Sequence, residues 1–303
     1  MGEKTGIEWC DHTFNPWWGC TKVSPACANC YAETLANRFP NTAGLWGPDA
    51  PRKIASEKVW NDPIRWNRAA EKAGVRRRVF CASMADVFED RHDLDESRSR
   101  LFALIRKTPS LAWLLLTKRP EHVRANTPPS WWLHGWPPNV WMGTTAEDQE
   151  QLEERGDHLL RCPASVRFVS AEPLLGPLAL WAYFKGKVRD EALAILGEPP
   201  PRNGIDWVIL GGESGHGART MQPEWARSIR DQCATAGVPF FFKQWGEFCR
   251  TDQLTEEAWQ HIDSHENLGG GYDYSRTYWK TGKKLGGSRL DGEERKAFPE
   301  VRA

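Results

Sequence analysis

The sequence predicts an α/β fold, a full or partial parallel β/α barrel, from two recurring patterns. Six runs of strand length, nearly continuously apolar and each ending in polar residues, are separated by 20 or more residues. Continuous apolarity suits strands buried on both faces of a parallel sheet. Between runs, apolar residues recur at helical spacing, and strand alternating with helix implies βαβ units.

The elements follow in order. Arg78–Ser83, Ala112–Thr117, Val140–Thr145, Val166–Ala171, Asp206–Gly211 and Val238–Lys243 are the expected strands. Leu94, Leu101, Leu104 and Ile105 mark a helix between the first two. Pro223, followed by Glu224 and ending at Gly237, supplies a first-turn proline and a terminal glycine, the start and stop signals of a second helix. No GxGxxG follows the first run, which counts against a dinucleotide-binding sheet. Three inserts interrupt the pattern. Thr127–Asn139 is rich in Pro and Trp and reads as an ordered, packed loop. Lys185–Asn203 reads as a surface excursion, and the polar tail, with Gly269-Gly270-Gly271 and Lys283-Lys284, as an appended segment. The expected organisation is a barrel over residues 1–250 and an extension over 251–303 that packs on it.

Composition narrows the classes. The 303 residues hold 40 Lys+Arg against 40 Asp+Glu, which excludes a polycation and an acidic tail. Hydrophobic residues at 40% and charged residues at 26% describe an ordinary globular chain. The longest apolar run, Leu178–Phe184, falls far short of the ~18 residues of a membrane span. The first ten residues carry no apolar leader. A cytoplasmic protein with no membrane contact is the expectation.

The strand ends gather the candidate chemistry, since the C-terminal rim of a β/α barrel carries the active site. They read Ser83-Met84-Ala85-Asp86, Thr117-Lys118-Arg119, Thr144-Thr145-Ala146-Glu147, Ser170-Ala171-Glu172, Gly211-Gly212-Glu213-Ser214 and Lys243-Gln244-Trp245. Lys118 and Arg119 could hold a phosphate or carboxylate, or form a structural ion pair with Glu172 or Asp86. Lys118, Arg119 and Glu172 are the candidate catalytic residues. Trp131, Trp132, Trp136 and Trp141 with His134 could stack on bases, or simply pack the loop. Arg76-Arg77-Arg78 and Lys283-Lys284 could add phosphate contacts, or be solvated faces.

The sharpest signal is cysteine. Of eight, Cys20, Cys27 and Cys30 stand as C-x6-C-x2-C in GCTKVSPACANCYAE, with Cys10 close by. Clustered thiols in a reducing compartment are better read as metal ligands than as disulfides. Soft thiolates without nearby His suit an Fe–S cluster or zinc. A structural zinc wants four ligands, and Cys10 could be the fourth. A [4Fe-4S] cluster on three thiolates leaves one iron open.

Trp9, Asn15-Pro16, Gly19-Cys20-Thr21-Lys22-Val23-Ser24-Pro25, Cys27 and Asn29-Cys30-Tyr31-Ala32-Glu33 open a longer series of blocks. Ser83 to Phe88, Leu115 to Pro120, Ser170 to Pro177, Gly211 to Gly215 and Lys243 to Gly246 continue it. Together they resemble the three-Cys-motif phage protein family, a domain of unknown function also labelled phage gene product 37/68. That family is in turn similar to radical SAM proteins, which place a C-x3-C-x2-C cluster motif at the start of a β/α barrel. The resemblance implies a radical SAM-like TIM barrel with a [4Fe-4S] cluster on Cys20, Cys27 and Cys30. It implies S-adenosyl-L-methionine as cofactor, with Tyr31, Gly211, Gly212, Glu213 and Ser214 as its binding residues. Glu213 would meet an ammonium while the glycines admit close backbone approach; the plainer alternative is that Glu213 holds a rim loop. It further implies an electron donor, a three-Cys-motif partner protein and a nucleic-acid or nucleotide substrate. The alternative is a zinc- or cluster-stabilised binding or partner protein without catalysis.

Overall fold

A computed structural model of the chain describes residues 5–184, 204–265 and 277–300. The excursion read at Lys185–Asn203 and the glycine run at 269–271 lie outside the described residues. No helix among the described residues is long and apolar enough to cross a membrane.

The architecture is a seven-stranded, wholly parallel sheet curled into a half-barrel. Its strands are β1 (His12–Thr13), β2 (Arg77–Cys81), β3 (Leu111–Thr117), β4 (Val140–Thr145), β5 (Val166–Ala171), β6 (Trp207–Gly211) and β7 (Phe240–Gln244). They lie in chain order, each hydrogen-bonded to the next, with β1 and β7 at the two edges. Six are the six apolar runs of the sequence. The seventh, β1, pairs only His12 with Val79 and Thr13 with Phe80.

Both faces of the sheet are buried, which is why the runs lack alternation. Helices α1 (Glu57–Lys72), α2 (Asp95–Lys107), α3 (Gln149–Leu160) and α4 (Pro223–Ala236) are amphipathic. Their apolar stripes, with Trp66, Leu101, Leu152 and Ile229, pack with the outward residues Val79, Leu115, Met142 and Val208. The inward face is mainly aromatic: Phe80, Trp141, Phe168, Trp207 and Phe241 surround Trp9 and Cys10. Gly143 makes room there, because a Cβ at that position would stand 2.3 Å from the Phe168 ring. The expected stop of α4 holds, with Gly237 in the left-handed region at φ 66°.

Two pairs of alternatives resolve, and one loop gains a helix. The Trp-rich insert contains a short helix, Pro129–His134, and is no stacking surface: Trp131, Trp136 and Trp141 are buried and Trp132 donates to Thr127 Oγ1 at 2.7 Å. Arg77 and Arg78 sit where β2 begins and pair with Asp11 at 3.2 and 3.3 Å. They stand at the opposite end of the strand from the rim described below.

The terminal segment joins the sheet's far edge. Phe242 N donates to Arg295 O at 2.7 Å and Ala297 N to Phe240 O at 3.1 Å, an antiparallel contact along β7. Phe298 then enters the inner face, 5.4 Å from the Trp207 ring and 5.2 Å from Phe241, under the Arg78 guanidinium at 3.8 Å. Lys296 pairs with Glu8. One short stretch therefore touches both margins of the half-barrel.

Candidate cluster-binding cavity

Where the strands end, the chain encloses a cavity of about 630 Å³. Cys20, Cys27 and Cys30 all line it, together with Tyr31, Lys118, Arg119, Glu172, Gly212, Glu213 and Ser214. Gly211 lies just behind, in β6, and Cys10 belongs to the inner core, where its thiol donates to Ile7 O at 3.6 Å. Residues spaced from 6 to 288 thus meet at one rim.

The cysteine-bearing loop leaves β1 and crosses the ends of the strands. Gly19 bonds to Met84 O at 3.0 Å with φ +113°, and a Cβ there would meet Leu45 O at 2.5 Å. Only glycine allows that approach. Cys27 closes the turn Pro25–Cys27, and Cys30 precedes the short helix Tyr31–Ala36. Tyr31 spans the cavity lip, donating its hydroxyl to Ser83 O at 2.8 Å.

Four acid–arginine pairs grip this loop. Arg119 Nη1 donates to Asp86 at 3.0 Å, while its Nη2 reaches Thr21 O at 2.6 Å. Arg52 grips Glu89 through Nε at 2.9 Å and Nη2 at 2.6 Å, and both partners bond the Thr21 hydroxyl. Glu147, 0% exposed, accepts from Ala26 N at 3.1 Å and Arg155 at 3.0 Å. Arg219 holds Glu213 at 2.7 Å and Pro25 O at 3.0 Å, and Asn29 also donates to Glu213, at 3.2 Å. Such pairs are costly to bury unless every oxygen is satisfied, and here the loop's own backbone completes them. Of these groups the sequence singled out Arg119, Asp86, Glu147 and Glu213 at strand ends and Asn29 beside Cys30; Arg52, Glu89, Arg155 and Arg219 carried no signal by spacing.

The strand-end candidates resolve in detail. Arg119 is committed to Asp86 and stands 3.7 Å from the Cys20 sulfur, the structural ion pair rather than a free anion holder. Glu172 pairs with Lys243 at 2.5 Å, not with Lys118 or Arg119. Ser214 accepts from Gln244 at 2.9 Å. Gly212 is obligatory, since a Cβ there would lie 1.8 Å from Trp245 O. Burial opposes ionisation of Glu213, yet the Arg219 hydrogen bonds hold its carboxyl below the ordinary range.

The three thiols differ. Burial pushes Cys20 up to about 12, reinforced by Asp86 and resisted by Arg119. Burial acts on Cys27 too, but the Lys118 charge and hydrogen bonds around Val23 and Ser24 leave it below its ordinary value. All eight cysteines are free. Among the described residues no three His, Cys, Asp or Glu side chains converge closely enough for one metal ion. A tetrahedral zinc would need its sulfurs within about 4 Å of one another, given Zn–S near 2.3 Å. A cubane cluster instead takes each thiolate at a different iron. Three free thiols on the wall of one large cavity fit that donor set.

Solved structures of spore photoproduct lyase are similar to the chain in backbone. A Cys-to-Ser mutant gives a TM-score of 0.41 at 11% identity, over 77% of this chain and 63% of that one. A double mutant with bound AdoMet and dinucleoside spore photoproduct gives 0.42 at 9%, over 86% and 75%. No curated protein matches the chain in sequence. A family model spans residues 4–299, and the chain belongs to that family, described as protein of unknown function (DUF5131).

Proposed function

We propose that the chain is an iron–sulfur protein of the radical SAM type, with Cys20, Cys27 and Cys30 as ligands of a [4Fe-4S] cluster. S-adenosyl-L-methionine would occupy the same cavity. The observation that carries this reading is the meeting of all three thiols with six polar strand ends in one cavity at the C-terminal rim. When bound, the reduced cluster supplies the electron that breaks a carbon–sulfur bond of the cofactor.

The chain's own residues position and shield. Lys118 favours the Cys27 thiolate. The four acid–arginine pairs hold the loop to the rim, so the ligands arrive preorganised. Glu213, with its oxygens already taken by Arg219 and Asn29, acts as a positioning residue for the loop. Gly212 lets the backbone at Trp245 close one wall. Tyr31, Ser214 and the Glu172–Lys243 pair complete the lining that a cofactor would meet.

The test is an electron paramagnetic resonance spectrum of anaerobically purified, dithionite-reduced protein, with and without S-adenosyl-L-methionine, plus an assay for 5′-deoxyadenosine. The expected outcome is a cluster signal altered by the cofactor, with nucleoside formed. Protein free of iron, or a cluster indifferent to the cofactor, would transfer the reading to a metal-stabilised binding or partner protein. Cys27→Ala should lose the iron, whereas Cys10→Ala, outside the cavity, should keep it.

A further inference from the structure

The cavity carries four carboxylates, and each already has a cation of its own. Glu8 pairs with Lys296, Asp86 with Arg119, Glu172 with Lys243 and Glu213 with Arg219. Lys22, also on the wall, is neutralised by Glu33 at 2.7 Å. Three lining lysines remain: Lys118 from the end of β3, and Lys283 and Lys284 from the terminal segment. Among the described residues none of the three has a hydrogen-bond or ion-pair partner. The three thiols apart, the wall therefore carries three cations that no carboxylate neutralises, in a chain whose formal net charge is 0.

That charge is also distributed in depth. Lys118 is half-buried, whereas Lys283 and Lys284, from a separate part of the chain, are exposed. A concave, partly dry site with unpaired charges of one sign concentrates ligands of the other sign. Lysine binds phosphate as a point charge without demanding one fixed orientation.

We propose that the cavity takes a phosphate-bearing substrate, with Lys283 and Lys284 as a phosphate subsite at the mouth and Lys118 as the inner cation. This rests on the reading of the cavity as the reaction site, and it adds the substrate class to that reading. Phosphate of a free nucleotide and phosphodiester of a single strand share this chemistry, so the probes must separate them.

Titration calorimetry of the full chain would use three probes: pyrophosphate, an equimolar mixture of nucleoside monophosphates, and a single-stranded decanucleotide of random sequence. At least one should bind, more weakly at 200 mM than at 50 mM salt. Binding by the small phosphates alone identifies a nucleotide substrate, and tighter binding by the decanucleotide identifies a strand. The Lys283→Gln/Lys284→Gln variant should lose about tenfold in affinity, as two exposed ion pairs would. Lys118→Gln should also weaken binding, while Lys72→Gln on α1 should not. Absence of binding by all three probes, or equal affinity in both cavity variants and wild type, would overturn the subsite. Iron content and 5′-deoxyadenosine formation are measured separately. An active cluster without phosphate binding removes the subsite alone, and phosphate binding without iron removes the cluster alone.

Discussion

Asp86 shows how the rim is built at the scale of a residue. It is 5% exposed and accepts from Thr117 Oγ1, Lys118 N, Phe88 N and Arg119. Removing its charge strands the Arg119 guanidinium, itself buried, beside the cysteine loop. Asp86→Asn should therefore destabilise by about 3–5 kcal/mol, read as a shift of the urea midpoint. Asp86→Asn combined with Arg119→Met should recover part of that loss, and a strictly additive double variant would show that the pair is not coupled. These partnerships were half legible. A polar residue after an apolar run announces a rim position, as at Asp86, Glu147 and Glu213. Its partner lies anywhere in the chain: Arg155 is 8 residues from Glu147 and Arg52 is 37 from Glu89. Nothing local to Arg52 or Arg219 distinguishes them from surface residues, because their role exists only once the strands are side by side.

Among the elements, β2 to β7 were readable because burial on two faces removes most polar interruption from five to seven residues. The two-residue β1 offers no such run, and only its pairing with Val79 and Phe80 defines it. The short helix Pro129–His134 hides behind Pro and Trp, which sequence alone assigns to a loop. Contact between β6 and β7 shifts register at Leu210/Gly211, and just beyond it Gly212 meets Trp245 O. Gly212→Ala should force these two strand ends apart, at a cost of about 1–3 kcal/mol, visible as a lower melting temperature. The terminal segment is tied to α4 by Asp291, which Arg227 grips at 2.8 Å and Arg230 at 2.6 Å. Hydrogen bonds from Arg227 bring the Asp291 carboxyl down to about 2. A depressed pKa means that its contribution is complete above the ordinary value near 4 and is lost as pH falls towards 2. Hydrogen exchange at residues 289–297 should accelerate over that window, and Asp291→Asn should show fast exchange at every pH.

The whole molecule is a barrel left open between β1 and β7, and the fold class was legible where the closure was not. Residues 295–298 span that opening, lying along β7 while Lys296 and Phe298 reach Glu8 and Arg78. A chain stopped after Glu294 should lose the Phe298 contacts with Trp207 and Phe241 and expose an unpaired strand edge. We expect it to aggregate or to melt lower by several degrees, measured by light scattering and calorimetry.

The same closure sets a clock on synthesis. Cys20 leaves the ribosome 263 residues before Lys283, the difference of the two positions lining one cavity. At about 5–20 residues per second, the thiols wait roughly 15–50 s before the last lining residues exist. Throughout that interval the cavity is incomplete, and the thiols are accessible to whatever delivers iron or oxidises sulfur. The finished cavity can then close over them only when the last stretch of chain has emerged.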